Sequence, residues 1–91
     1  MIDPADKPRQ TAGYFLEELD GELLLYHLDE TKILYCNQTA SLIWTLCDGQ
    51  RTVQKIVELL GKAYPGSAST IAGDVEDTLA SFLEQGTIEL T

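Results

Sequence analysis

The chain has 91 residues, of which 44% are hydrophobic and 23% charged, so it suits one globular domain with a single core. It contains neither an apolar run of the roughly 20 residues that span a bilayer nor an N-terminal secretory signal. Fifteen acidic against six basic residues give a net charge of -9, which argues against nucleic acid and anionic lipid and favours a basic partner. We therefore expect a soluble, cytoplasmic protein with no nucleic-acid or membrane partner.

The N-terminal segment differs in composition from the rest of the chain. Residues 1–12 hold two of the three prolines and few apolar side chains, a composition typical of a flexible tail. Apolar and aromatic residues become regular only from Gly13 onwards. We therefore expect residues 1–12 to be a flexible tail and residues 13–91 to be the folded domain.

Three short apolar runs follow and predict β-strands. The first two runs, residues 14–19 and 22–28, flank Asp20-Gly21, the type of dipeptide that forms two-residue hairpin turns. A polar turn at residues 29–31 then leads into the third run, residues 32–36. The pattern predicts an antiparallel meander of three strands.

The apolar spacing changes at Asn37 to that of helices. Asn37 and Thr52 are typical N-caps, and apolar residues recur after each at i, i+3, i+4 and i+7. The first helix is predicted to stop at Asp48-Gly49, whereas a third and longer helix begins near Ser69 or Thr70 and stops at Gly86. The order predicts an α+β, winged-helix-like domain, with an N-terminal three-stranded antiparallel sheet followed by three helices.

Winged helices often bind DNA, but the residues of this chain argue against that function. A recognition helix offers Arg, Lys, Asn or Gln to base edges. The third predicted helix instead carries Asp74, Glu76, Asp77 and Glu84, without Lys or Arg. We interpret these carboxylates as a solvated helix face.

The residues also give little support to catalysis or to metal binding. Cys36, Cys47 and His27 do not match the ligand spacing of a structural zinc site, and we expect both thiols to be reduced and buried. The sequence has neither a glycine-rich phosphate loop nor a nucleophile elbow. We therefore predict no catalytic residue, no metal and no cofactor, and we expect His27 to be an ordinary strand residue.

The third predicted strand is a candidate interaction site, because a three-stranded sheet has open edges. If Leu34 and Cys36 face the core, Ile33 and Tyr35 face outward. Exposed apolar residues beside an open edge can accept an extended peptide as an added strand. The third helix or the tail could cover the edge instead, and the spacing of the residues leaves both alternatives open.

From Gly13 to Leu90 the chain resembles the PqqD-like family, also called the RiPP precursor-peptide recognition element. The resemblance is carried, in order, by Cys36-Asn37-Gln38-Thr39-Ala40, Ile43, Leu46-Cys47-Asp48-Gly49, Thr52-Val53, Ile56, Asp74-Val75, Phe82-Leu83 and Gly86. Cys36 stands where the family usually has Leu, and Trp44 is bulkier than is usual at its position.

The resemblance implies a non-catalytic adaptor. Members of the family bind the leader segment of a ribosomally made precursor peptide as a strand added to the third strand, in the groove beside the third helix. They present this peptide to a modifying enzyme: a radical SAM protein, a leader peptidase or a cyclase. The resemblance thus implies two partners, a precursor peptide and a peptide-modifying enzyme, in a pathway such as PQQ or lasso-peptide biosynthesis.

The resemblance also implies particular site residues. Backbone pairing would come from Lys32, Ile33, Leu34, Tyr35 and Cys36, with side-chain contacts from Ile33 and Tyr35. The opposing wall would be Ile71, Asp74, Val75, Thr78 and Phe82, of which Val75 and Phe82 suit the core equally well. Asp74, Asp77 and Glu84 could pair with Lys or Arg of a leader.

Two further expectations concern assembly. We expect a stand-alone element that acts in trans, because the sequence holds no second domain. A structural or self-association module would use the same strand edge to form a homodimer, and this remains the alternative function.

Overall fold

The computed structural model describes residues 2–20, 22–29, 31, 33–67 and 69–90. Its elements follow in the order β1 (Pro8–Gln10), β2 (Tyr14–Leu19), β3 (Glu22–His27), β4 (Ile33–Cys36), α1 (Gln38–Leu46), α2 (Val53–Ala63), a 3₁₀ turn (Pro65–Ser67), α3 (Ile71–Glu84) and β5 (Ile88–Leu90). Strands β2, β3 and β4 form one antiparallel sheet in that order, and three α-helices follow it. The predicted fold class, a three-stranded sheet followed by three helices, is therefore confirmed.

The register of the main sheet sorts its side chains onto two faces. Leu25 lies opposite Leu16 on one side and Leu34 on the other, and Leu25 has no exposed surface. The next row, in which Tyr26 lies opposite Phe15 and Ile33, points away from the helices, because successive side chains of a strand alternate. The inner face packs on the core, and the outer face carries exposed apolar side chains.

Side-chain caps start the first two helices at the predicted residues. The Asn37 side chain accepts a hydrogen bond from the backbone N–H of Ala40 at 2.7 Å. The hydroxyl oxygen of Thr52 accepts one from the N–H of Lys55 at 3.1 Å. Each bond satisfies one of the N–H groups that have no partner within the helix.

The third helix ends in a Schellman motif. Gly86 has φ 78°, a left-handed conformation that glycine adopts without steric cost. The N–H of Gly86 donates to the carbonyl of Leu83 at 3.1 Å, and that of Thr87 donates to the carbonyl of Phe82 at 2.9 Å. The chain therefore reverses at the predicted glycine and enters β5.

One core joins the inner face of the sheet to all three helices. The side chains that form it are Leu25, Ile43, Trp44, Cys47, Val53, Ile56, Leu60, Ile71, Val75, Leu79, Phe82 and Ile88. Both thiols are free, with Cys47 buried and Cys36 half-buried. Across the described ranges, the structure has no helix of the length and apolarity that crossing a membrane requires.

Within residues 2–12 the chain forms a strand and backbone hydrogen bonds with the rest of the fold, which differs from the flexible tail expected over residues 1–12. β1 pairs antiparallel with β5, so that Pro8 lies opposite Leu90. The carbonyl of Pro8 accepts from the N–H of Gly49 at 2.9 Å, and that of Asp6 accepts from the N–H of Val53 at 2.8 Å. The proline content was misleading because a proline lacks only the donor: its carbonyl still bonds.

Candidate functional site

Strand β4 forms one edge of the main sheet. It pairs with β3 on one side, and no described strand pairs with its other side. Ile33 and Tyr35 are 54% and 75% exposed, whereas Leu34 and Cys36 are half-buried and pack against the core. An edge strand presents N–H and C=O groups to any chain that lies beside it. β4 therefore offers backbone hydrogen bonds together with two exposed apolar side chains.

A hollow of about 300 Å³ lies between β4 and α3, and we call it the α3 hollow. It is lined by Leu34, Tyr35, Cys36, Ala40, Asp77, Thr78, Ser81, Phe82 and Gln85. Leu34, Cys36 and Phe82 supply apolar surface, whereas the other α3 residues supply polar side chains. The hollow can receive a side chain with an apolar body and a polar or charged end.

A second hollow, of about 770 Å³, lies at the carboxyl end of β4, and we call it the α1 hollow. It is lined by Glu18, Glu22, Leu23, Tyr35, Cys36, Asn37, Gln38 and Ser41. Tyr35 and Cys36 therefore border both hollows. The edge of β4 is thus flanked by two concave surfaces, where the sequence predicted one groove.

The α3 residues that were predicted to form the wall of the groove lie in three different environments. Thr78 and Phe82 line the α3 hollow, and Phe82 also belongs to the core, where only 5% of it is exposed. Ile71 and Val75 are buried in the core, so the prediction that they form the groove wall is not supported by this structure. Asp74 is exposed on α3, one turn before Thr78.

The β4 residues that were predicted to contact the peptide also differ in where their side chains lie. Leu34 and Cys36 face the hollows. Ile33 and Tyr35 lie opposite Tyr26 and Leu24 on the outer face of the sheet, and Tyr35 also borders both hollows. Lys32 lies outside the described residues. A strand added at this edge would place alternate side chains toward α3 and toward the outer face.

Sequence reasoning missed several residues that line the hollows. Glu18 and Glu22 are not among the predicted site residues, although a two-residue turn at 20–21 pairs Glu18 with Leu23 and hence places it in the row of Cys36. Ser81 and the C-cap residue Gln85 follow Asp77 at intervals of four, so helical spacing places the three residues on one face of α3. Both signals were present in the sequence.

Cys36 and His27 have structural roles. Burial raises the pKa of the Cys36 thiol, so this group stays neutral and presents an apolar surface to both hollows. The Nδ1 atom of His27 accepts a hydrogen bond from the N–H of Asp29 at 3.0 Å, and its ring meets the edge of Tyr14 with centroids 4.9 Å apart. Within the described ranges, no three His, Cys, Asp or Glu side chains are grouped to hold a metal ion.

Two solved structures share this fold. TbiB1, solved in complex with the TbiA(beta) leader peptide, matches with a TM-score of 0.73 at 21% identity, covering 89% of this chain and 94% of that one. The second is the NMR structure of the PqqD truncation of Methylobacterium extorquens PqqCD, described as a functional, stand-alone RiPP recognition element. It matches with a TM-score of 0.79 at 24% identity, covering 98% of this chain and 95% of that one.

The comparison with curated proteins gives no match. The family model for coenzyme PQQ synthesis protein D (PqqD) matches residues 22–88, which is more than half of the chain. This match spans β3, β4 and all three helices, and hence both hollows except for Glu18. The chain therefore belongs to the PqqD family.

Proposed function

We propose that this chain binds the leader segment of a ribosomally synthesised precursor peptide as a strand added to β4, and presents that peptide to a modifying enzyme. The observation that carries the proposal is the open edge of β4, with one hollow between it and α3 and a second hollow at its carboxyl end. Backbone pairing along an edge supplies affinity that tolerates many sequences, and adjoining hollows supply selectivity. An extended peptide fits this arrangement better than a compact ligand does.

The relatives support the same function. The fold is shared with TbiB1, whose structure contains a leader peptide, and with a stand-alone RiPP recognition element. We propose that the enzyme partner is a radical SAM protein, a leader peptidase or a cyclase. Holding the leader raises the effective concentration of the attached core peptide near this enzyme.

The adaptor itself would perform no chemistry. Burial raises the pKa of both thiols, so neither Cys36 nor Cys47 is an activated nucleophile. The Nδ1 atom of His27 accepts a hydrogen bond from the backbone N–H of Asp29, in the turn that follows β3. These are the roles of structural side chains.

Self-association through β4 is the alternative function, because a second copy could pair with the same edge. Two copies would bring together chains that each carry a net charge of -9. Their mutual repulsion favours a peptide over a second copy. We expect sedimentation to show a monomer that gains mass only when a peptide is added.

Variants at the two edges of the sheet test the proposal. Ile33→Asp with Tyr35→Asp places charge beside the β4 edge, and Phe15→Asp with Leu19→Asp makes the same change on β2 at the opposite edge. All four side chains are exposed, so both double variants should fold. Labelled peptides from short reading frames beside the gene should lose binding to the β4 variant and keep it with the β2 variant. Unchanged affinity in a folded β4 variant would contradict the proposal.

A further inference from the structure

We infer that the leader bound at β4 carries at least two basic side chains, Lys or Arg, one for each hollow. This inference rests on the proposed function and specifies its substrate. The strand edge and the apolar surface of the hollows make the binding site. The charges around it select among the peptides that could lie there.

The α1 hollow is lined by two acidic residues. Glu18 and Glu22 lie near the turn between β2 and β3, and both side chains are exposed. In the sheet register Glu18 is opposite Leu23, which is opposite Cys36, so this carboxylate lies on the inner face, two strands from the edge. Strands lie about 4.8 Å apart, so a basic side chain reaches Glu18 from a peptide segment that continues past the carboxyl end of β4 into the α1 hollow, with its aliphatic stem along Leu23.

The α3 hollow presents one carboxylate above an apolar floor. Asp77 lies on the α3 wall of the hollow, across from Leu34 of β4, and Phe82 of the same helix adds apolar surface. Thr78 and Ser81 add oxygens that can accept hydrogen bonds from an ammonium or guanidinium group. This combination suits a side chain that is apolar along its length and positive at its end.

No basic residue offsets these charges at the described surface of either hollow. Glu18, Glu22 and Asp77 are the charged residues that line them. The ion pairs found within the described ranges lie elsewhere: Arg9 with Glu89, Arg51 with Asp48, and Lys55 with Glu58. A leader with acidic residues at these positions would be repelled, and a leader with basic residues would be attracted and oriented.

The two basic positions should be close together in the leader. Both hollows border Tyr35 and Cys36, so one short extended segment spans them. We therefore expect Lys or Arg within a few residues of each other, separated by apolar residues that contact the β4 edge.

Selection from a library of random-sequence peptides, long enough to cover β4 and both hollows, tests the inference. The selected peptides are then titrated against the chain, against Glu18→Gln with Glu22→Gln, and against Glu58→Gln with Glu76→Gln. The control changes net charge equally, and neither of its residues lines a hollow. We expect paired Lys or Arg in the selected peptides and affinity about 10-fold weaker for the hollow variant only, because the basic side chain in the α1 hollow loses both of its carboxylate partners.

The other outcomes separate this inference from the proposed function. Peptides that shift the amide resonances of β4 but show no enrichment in Lys or Arg, or bind the hollow variant unchanged, would overturn the inference alone. If no selected peptide perturbs β4, both the inference and the proposed function are overturned.

Discussion

The indole Nε1 of Trp44 donates a buried hydrogen bond to the backbone carbonyl of Thr87 at 3.2 Å. The same carbonyl accepts from the N–H of Thr11 at 3.0 Å, and the Gln10 side chain donates to the Trp44 carbonyl at 3.0 Å. One tryptophan in α1 thus holds the segment after β1 and the segment before β5 together. Trp44 therefore has a structural role in joining the two ends of the fold.

Replacing Trp44 with Phe should lower the free energy of unfolding by about 1–3 kcal/mol, because a buried hydrogen bond and part of the packed ring are lost. Urea unfolding followed by circular dichroism measures this difference. Tyr35→Phe, at an exposed aromatic, should change stability by less than about 0.5 kcal/mol. Equal effects of the two substitutions would contradict the role given to Trp44.

Removal of residues 1–10 should destabilise the domain substantially. It deletes β1 and takes away the carbonyls of Asp6 and Pro4 that accept from the N–H groups of Val53 and Gln54. Each exposed ion pair contributes at most about 1 kcal/mol, so Arg9→Ala should cost far less than the deletion. Thermal unfolding of the two variants measures this difference. If the truncated chain is as stable as the full one, residues 1–10 do not stabilise the fold and the expectation of a flexible tail is correct.

Alkaline pH should weaken the fold through Cys47. Burial, together with the nearby Asp48 carboxylate, raises the pKa of this thiol from 9.0 to about 12. Above pH 9 the thiol ionises in the unfolded chain but stays protonated in the folded one, so unfolding releases a proton. The contribution of Cys47 to the free energy of unfolding is therefore fully present below pH 9 and is lost as the pH rises toward 12.

The contribution of Cys47 can be isolated with Cys47→Ala. That variant will be less stable throughout because it leaves a cavity, but its free energy of unfolding should decline less steeply between pH 8 and pH 11. Urea unfolding over that range provides the measurement. If the free energy of unfolding declines equally with pH in both proteins, the pKa of Cys47 is not raised in the folded chain.

Local signals made most of the fold predictable. The caps at Asn37 and Thr52 and the glycine stop at Gly86 each depend on residues within one or two turns of the chain. The hairpin followed in the same way from the spacing of two apolar runs, and Leu19 does lie opposite Glu22 across the turn. Local residue chemistry was sufficient for these elements.

Contacts between distant segments were not predictable in this way. β1 pairs with a strand 80 residues further along, and neither strand has more than three residues to mark it. The same reason applies to Ile71 and Val75: helical spacing places them on an apolar face, but only packing shows that this face is core. The hollows likewise depend on how α1 and α3 lie against the sheet.

Backbone amide NMR of the chain, titrated with the leader peptide of its own precursor, tests the central claim most directly. Binding at the β4 edge should shift the resonances of residues 33–36 and of residues 77–84 on α3, while those of residues 14–17 on β2, at the far end of the other edge strand, stay in place. Saturable binding with shifts confined to β2 or α2 would contradict the assignment of β4 as the peptide-binding edge.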